Sequence, residues 1–296
     1  MLNIPAKHER IYWPATIPFA LAHVVALAGV ISVGFSWRGV ALCALLYYVR
    51  MFGLAVGYHR YFAHRAFRTS RLGQFLLAFL AATAAQKGPL WWAGHHRSHH
   101  RHADAEEDVH SPFQRGFWWA HLGWIFCRRY AATDTAIIRD FAKYPELRWL
   151  NTFALVPPTL LAVAMWFAFG RVGVYWGFFL STVLLWHGSF SVNSLLHVWG
   201  TRRYLTSDTS RNNWQLAFVT LGENWHNNHH YYQTSANQGF FWWEIDLGYY
   251  GIKLLSWLGL IWDVRTPPQH VLERGRLAAA GGVAAVSLAR RGVTRG

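Results

Sequence analysis

No Asp, Glu, Lys or Arg occurs in residues 11–37, and this limits the chain more than any other feature does. The hydrocarbon core of a bilayer is about 30 Å thick, so a crossing helix needs roughly 20 apolar residues. Residues 39–58 form a second apolar segment, interrupted only by Arg50. A central Arg is costly in a membrane, so Arg50 is expected near a helix end, where it can snorkel. Residues 149–170 and 172–201 are also free of charge. As one helix the latter would be roughly 45 Å long, so its end should project from the membrane with Asn193 and His197. Residues 72–85 are apolar but only fourteen in number, which favours an interfacial or buried helix over a crossing.

The expected fold is an all-α integral membrane protein with four transmembrane helices, at about 13–35, 39–58, 149–170 and 173–199. A helical cap from residues 59–148 and 200–270 completes a single domain over 1–274, followed by an Ala/Gly/Arg-rich tail, 275–296. The first ten residues show no compact cleavage site and read as the start of an anchor. Of 28 Lys and Arg, only Arg38 and Arg171 fall in the two expected outer loops. The positive-inside rule therefore puts both termini and the cap in the cytosol.

Composition supports this reading. Charged residues make up 14% of the chain, against about a quarter in soluble domains. The 18 Trp, 13 Tyr and 20 Phe suit bilayer interfaces. A net charge of +14 suits contact with anionic lipid, and no nucleic-acid motif accompanies it, so nucleic acid is excluded as a partner. Cys43 and Cys127 are the only cysteines, which favours a reducing compartment over a disulfide framework.

The histidines fall into spaced groups on the cap side. HRYFAH carries His59 and His64, HRSHH carries His96, His99 and His100, and HNNHH carries His226, His229 and His230. NSLLH places Asn193 and His197 four residues apart, on one helical face. Three to four ligands satisfy a zinc ion, so nine histidines and one Asn are too many for one metal and suit two. Imidazole accepts Zn, Cu, Fe and Ni alike. His8, His23, His121, His187 and His270 stand apart and read as packed or surface residues, with His187 hydrogen-bonded within its span. His95, His102 and His110 flank the second group as supporting or surface residues, His95 as a competitor of His96. Glu106, Glu107 and Asp108 are candidates for orienting ligating imidazoles, or a solvated acidic loop.

In this order, HRYFAH, HRSHH and HNNHH resemble the histidine boxes of membrane fatty acid desaturases. NSLLHVWG and residues 108–126 are similar to the acyl-CoA delta-9, stearoyl-CoA-type branch, and above all to its bacterial members. The resemblance covers residues 12–267. It implies a non-haem centre of two iron ions that uses O2 to insert a cis double bond, at the delta-9 position, into a saturated acyl chain carried by CoA, with a membrane lipid as the alternative carrier. It also implies that His59, His64, His96, His100 and His229 hold one iron. His99, His197, His226 and His230 would hold the other, with Asn193 acting through a water. Electrons would come from a separate ferredoxin-, rubredoxin- or cytochrome b5-type donor with its reductase. A bacterial inner membrane is the expected location. Arg60, Arg65, Arg68, Arg128 and Arg129 are candidates for an anionic headgroup or an acidic donor, or are ordinary cytosolic-side charges. In this family the second helix helps close the acyl tunnel, so Tyr47 and Met51, on one face of it, are expected to set chain length in favour of palmitoyl. A membrane hydroxylase shares the histidine logic. A zinc hydrolase is disfavoured by the absence of HExxH. A metal transporter is disfavoured because its ligands would lie near the bilayer midplane.

Overall fold

The computed structural model describes residues 11–281; His8, the rest of the first ten residues, and residues 282–296 of the expected tail lie outside them. Helix α1 is Trp13–Val33, with a Pro in its first turn where no amide partner is lost. A turn through Gly34 leads to α2, Trp37–Phe52, whose first turn is capped by the Ser36 side chain accepting from the Gly39 amide. Helix α2 runs on without a break as a π-helix, Gly53–Ala63. There follow α3 (Arg71–Ala82), α4 (Pro89–His102), α5 (Phe117–His121), α6 (Pro145–Thr152) and α7 (Val156–Val172). A second π-helical stretch, Gly173–Leu180, leads into α8 (Ser181–Val198). The short α9 (His226–Tyr231), then α10 (Leu247–Trp257) and α11 (Gln269–Gly281) complete the helices that matter here.

Among the described residues, three continuous helical elements are long and apolar enough to cross a membrane: Trp13–Val33, Trp37–Ala63 and Val156–Val198. The third has 43 residues and would measure about 65 Å if straight. It is not straight. Gly170 takes φ 59°, ψ −144°, and a Cβ on Gly173 would fall 2.3 Å from the carbonyl oxygen of Met165. Eight residues apart, those positions would be about 12 Å apart along one helix, so the chain turns back at Gly170. The α1–α2 turn lies beside this one: Arg171 donates to the Ser32 hydroxyl at 3.0 Å, and the Arg38 guanidinium sits over the Phe169 ring.

Three details differ from the sequence reading. The third apolar helix starts at Val156, because Pro157 and Pro158 must sit in a first turn, and residues 145–152 form a separate short helix. Arg50 does not snorkel; it is 1% exposed. Its guanidinium donates to the Leu46 carbonyl, the Thr182 hydroxyl at 2.6 Å and the Ser181 hydroxyl, so neutral acceptors replace water. At the carboxyl end α11 runs through the expected 274/275 boundary, with Val271 buried against Tyr204 and Phe241.

The core that positions the site lies where α3 crosses the first π-helix. At Gly53 and Gly57 an added Cβ would meet Ala81 and Leu77 backbone at 2.8 and 3.0 Å, so only Gly permits so close an approach. Around them pack Tyr58, Phe62, Ala78 and Ala82, all fully buried. A two-residue antiparallel pairing of Arg68–Thr69 with Ile261–Trp262 ties the segment after the first histidine group to the carboxyl-terminal part of the cap.

Candidate metal centre

His59 and His64 are five residues apart, a spacing that would set them about 140° apart on an α-helix. The π-helix removes most of that angle, since its hydrogen bonds run i to i+5, and the His64 amide indeed donates to the His59 carbonyl at 3.1 Å. On α4, His96, His99 and His100 occupy i, i+3 and i+4, and α9 repeats the arrangement with His226, His229 and His230. Asn193 and His197 share the last two turns of α8.

Tertiary packing sorts nine of these histidines into two clusters, within each of which one ligand atom per residue lies within 4.8 Å of all the others. The first holds His59, His64, His96, His100 and His229. Its Nε2 atoms follow one another at about van der Waals distance or less: His59 to His229 3.0 Å, His229 to His100 2.9 Å, His100 to His96 3.0 Å, His96 to His64 3.0 Å. The second holds His99, His197, His226 and His230. There His197 and His226 meet through Nε2 at 3.1 Å, while the Nε2 atoms of His99 and His230 are buried without a hydrogen-bond partner.

Carboxylates set the tautomers. Asp108 takes the Nδ1 proton of His99 at 2.9 Å, and Asp208 that of His230 at 2.8 Å. His197 Nδ1 lies 3.2 Å from the Thr209 hydroxyl, which itself donates to Asp104 at 2.6 Å. His59 Nδ1 contacts Glu223, which also takes Arg60 at 3.0 Å and the Gln238 amide at 3.2 Å. With Nδ1 protonated, Nε2 keeps its lone pair. Lone pairs facing one another in a buried space repel, and a shared cation removes the repulsion. The donor set thus fits two metal ions, and imidazole nitrogen suits iron.

Charge in the site follows the same logic. Burial first, and then the neighbouring imidazoles, push His64, His96, His100, His226 and His229 well below the ordinary histidine range. They are therefore neutral, the form that ligates. Burial drives the carboxyls of Asp104, Asp108 and Asp208 upward, but their imidazole, hydroxyl and amide donors outweigh it and hold all three well below the usual carboxylate range.

A cavity of about 440 Å³ lies against the first cluster, with His59, His96 and Asn193 in its wall. Most of the remaining wall is apolar, including Leu54, Trp91, Trp92, Trp186 and Phe190. Exposed Ala15, Pro18, Lys87 and Leu155 also border it, so it opens beside the start of α1. Met51 lines the cavity and is 2% exposed. Tyr47 is not among the lining residues: it packs at Gly188 of α8, and its hydroxyl donates to the Val219 carbonyl.

The remaining histidines divide. His110 is buried 4.2 Å, ring to ring, from His99, whereas His95 turns away from the clusters and bonds the Trp91 carbonyl at 2.8 Å. His102 and His270 are exposed, as are Glu106 and Glu107. His23, His187 and His121 form a hydrogen-bonded line of their own, at 3.0 Å per link, ending on the Ser194 hydroxyl. Of the supporting groups, Asp108 was legible in the sequence; Asp104, Thr209, Asp208, Glu223 and Gln238 were not. Asp208 lies 22 residues before His230, and no local spacing joins the two.

Two buried imidazole clusters able to hold metal, set beside an apolar cavity among helices of membrane-spanning length, define the class of protein. The family model for fatty acid desaturases matches residues 35–272. The sn-2 palmitoyl-lipid 9-desaturase of Nostoc sp. (strain 36) is 38% identical, over 88% of this chain and 93% of that protein. The sn-1 stearoyl-lipid 9-desaturase of Anabaena variabilis is 36% identical, over 86% and 94%. The acyl-CoA C20 Delta5-desaturase of Anemone leveillei is 37% identical, over 79% and 76%. The chain belongs to the fatty acid desaturase family. It is an oxidoreductase of lipid metabolism that acts on fatty acyl chains.

Proposed function

We propose that this protein introduces a cis delta-9 double bond into a saturated acyl chain carried by a membrane lipid. The observation that carries the reading is the apolar cavity running against the first histidine cluster, with Asn193 in the same wall. The two clusters hold one iron each, and the irons, when bound, supply O2 activation and hydrogen abstraction. The protein's own part is to keep the imidazoles neutral, exclude water with tryptophan and phenylalanine walls, and hold an extended chain beside His59 and His96. Asn193 would support the second metal alongside His99, His197, His226 and His230. A separate redox protein delivers the electrons.

A lipid substrate is favoured over acyl-CoA by the mouth of the cavity. It is bordered by α1, and Lys87 is the only Lys or Arg among the lining residues, whereas a polyphosphorylated CoA needs several cations. None of the candidates for that role lines the cavity: Arg60 is buried on Glu223 and Asp246, Arg65 and Arg68 pair with Asp140 and Asp263 at the surface, and Arg128 and Arg129 stack on Tyr12 and Tyr130. Acyl-CoA is the second reading, supported by the printed name of the Anemone relative. The reversal at Gly170 supports four crossings, and the scarcity of Lys and Arg in the two turns, Arg38 and Arg171 alone, supports a cytosolic cap.

The test is expression in a host lacking unsaturated acids, with mass spectrometry of the intact lipids and of double-bond position. Delta-9 unsaturation in glycerolipids, formed without new fatty acid synthesis, is the expected result. An alcohol product would mean a hydroxylase, and conversion of acyl-CoA alone would mean the second reading.

A further inference from the structure

The two clusters differ in what stands behind their imidazoles. In the second cluster three of four ligands are backed by carboxylates: His99 by Asp108, His230 by Asp208, and His197 by Asp104, at 3.6 Å and through Thr209. These acids are fixed by backbone amides and hydroxyls. Asp108 takes the Asp104 amide at 2.9 Å, Asp208 the Ser210 amide at 2.9 Å, and Asp104 the Thr209 amide at 2.6 Å. In the first cluster a carboxylate stands behind His59, and this one, Glu223, is shared with the buried guanidinium of Arg60. The Nδ1 atoms of His100 and His229 are buried with no hydrogen-bond partner.

A carboxylate on Nδ1 makes the imidazole a stronger donor at Nε2, and nearby negative charge favours a more highly charged ion. On this basis we infer that the two metal sites are unequal by construction. The site of His99, His197, His226 and His230 is the tight one and stabilises the ferric state. The site of His59, His64, His96, His100 and His229 is looser and more electrophilic. The looser site is also the one whose imidazoles, those of His59 and His96, line the cavity, while the tight site reaches its wall through Asn193, so the more electrophilic ion faces the hydrocarbon. The inference rests on the reading that both clusters hold iron.

The experiment uses the full chain in detergent, stripped of metal and reloaded anaerobically with ferrous iron-57, followed by metal analysis and Mössbauer spectroscopy. Wild type should bind two irons in two separable steps, the first at least about 10-fold tighter, since such supporting partners are worth about 10–100-fold in affinity. Asp208→Asn should weaken the tight step and alter only that iron's Mössbauer doublet, while Glu223→Gln should move only the loose one. Asp208→Glu, which keeps the charge, should restore the tight step. Asp108→Asn provides the same test should Asp208→Asn fail to fold. Two irons bound in equal steps, or a loose step weakened by Asp208→Asn, would overturn the inequality and leave the two-iron reading standing. Failure of folded wild type to bind two irons would overturn both.

Discussion

Replacing Met51 should change which chain length the enzyme prefers. Along the continuous helix of residues 37–63, Met51 is the cavity-lining residue farthest from His59, at most about 12 Å away, the α-helical rise over eight residues. Met51→Ala removes three heavy atoms from the wall, room for about two further methylenes, each worth about 0.8 kcal/mol when buried. Palmitoyl and stearoyl differ by that increment, so the variant should favour stearoyl by about 1.6 kcal/mol, about 15-fold in the ratio of specificity constants. The assay is competition between equimolar palmitoyl and stearoyl lipids, with products resolved by gas chromatography. Truncating a buried Met also costs stability, typically about 2–5 kcal/mol, so only surviving folded protein counts. Tyr47→Phe is the internal control. It removes the bond to the Val219 carbonyl without altering the cavity wall, and should leave the ratio unchanged. An unchanged ratio in folded Met51→Ala would refute the reasoning and place the end of the tunnel elsewhere.

His229→Ala, which deletes the Nε2 between those of His59 and His100, should abolish turnover and leave membrane insertion intact; near-normal activity would show that the first cluster is not the centre. Reporter fusions after residues 110 and 240 should both report the cytosolic side, and an external signal from either would mean that the 71–82 helix crosses. In chelated protein, His64, His96, His100, His226 and His229 resist protonation through burial first and mutual crowding second. Unfolding lets each take up a proton below about pH 6.5. These five groups should therefore add no pH dependence above that pH and lower stability below it, by up to about 1.4 kcal/mol per pH unit for each imidazole; a Tm that stays flat down to about pH 5.5 would sink the argument.

The apolar runs and the histidine spacing were legible in the sequence because both are local. A charge-free stretch of residues 11–37 permits few structures besides a long apolar helix, and the i, i+3, i+4 pattern of HRSHH and HNNHH is itself a statement about one helical face. HRYFAH did not fit that rule, and its meaning came from the π-helix, which packing against α3 accommodates. The partition of nine histidines into five and four was available from family resemblance but not from spacing, since α4 sends His96 and His100 to one cluster and His99 to the other. Arg50 looked like a residue that must reach water, yet Ser181 and Thr182, far away in sequence, satisfy it inside the bundle. The same holds for Asp208 and Glu223. A carboxylate on an imidazole is a contact between distant segments, and its strength comes from burial that only the folded chain creates.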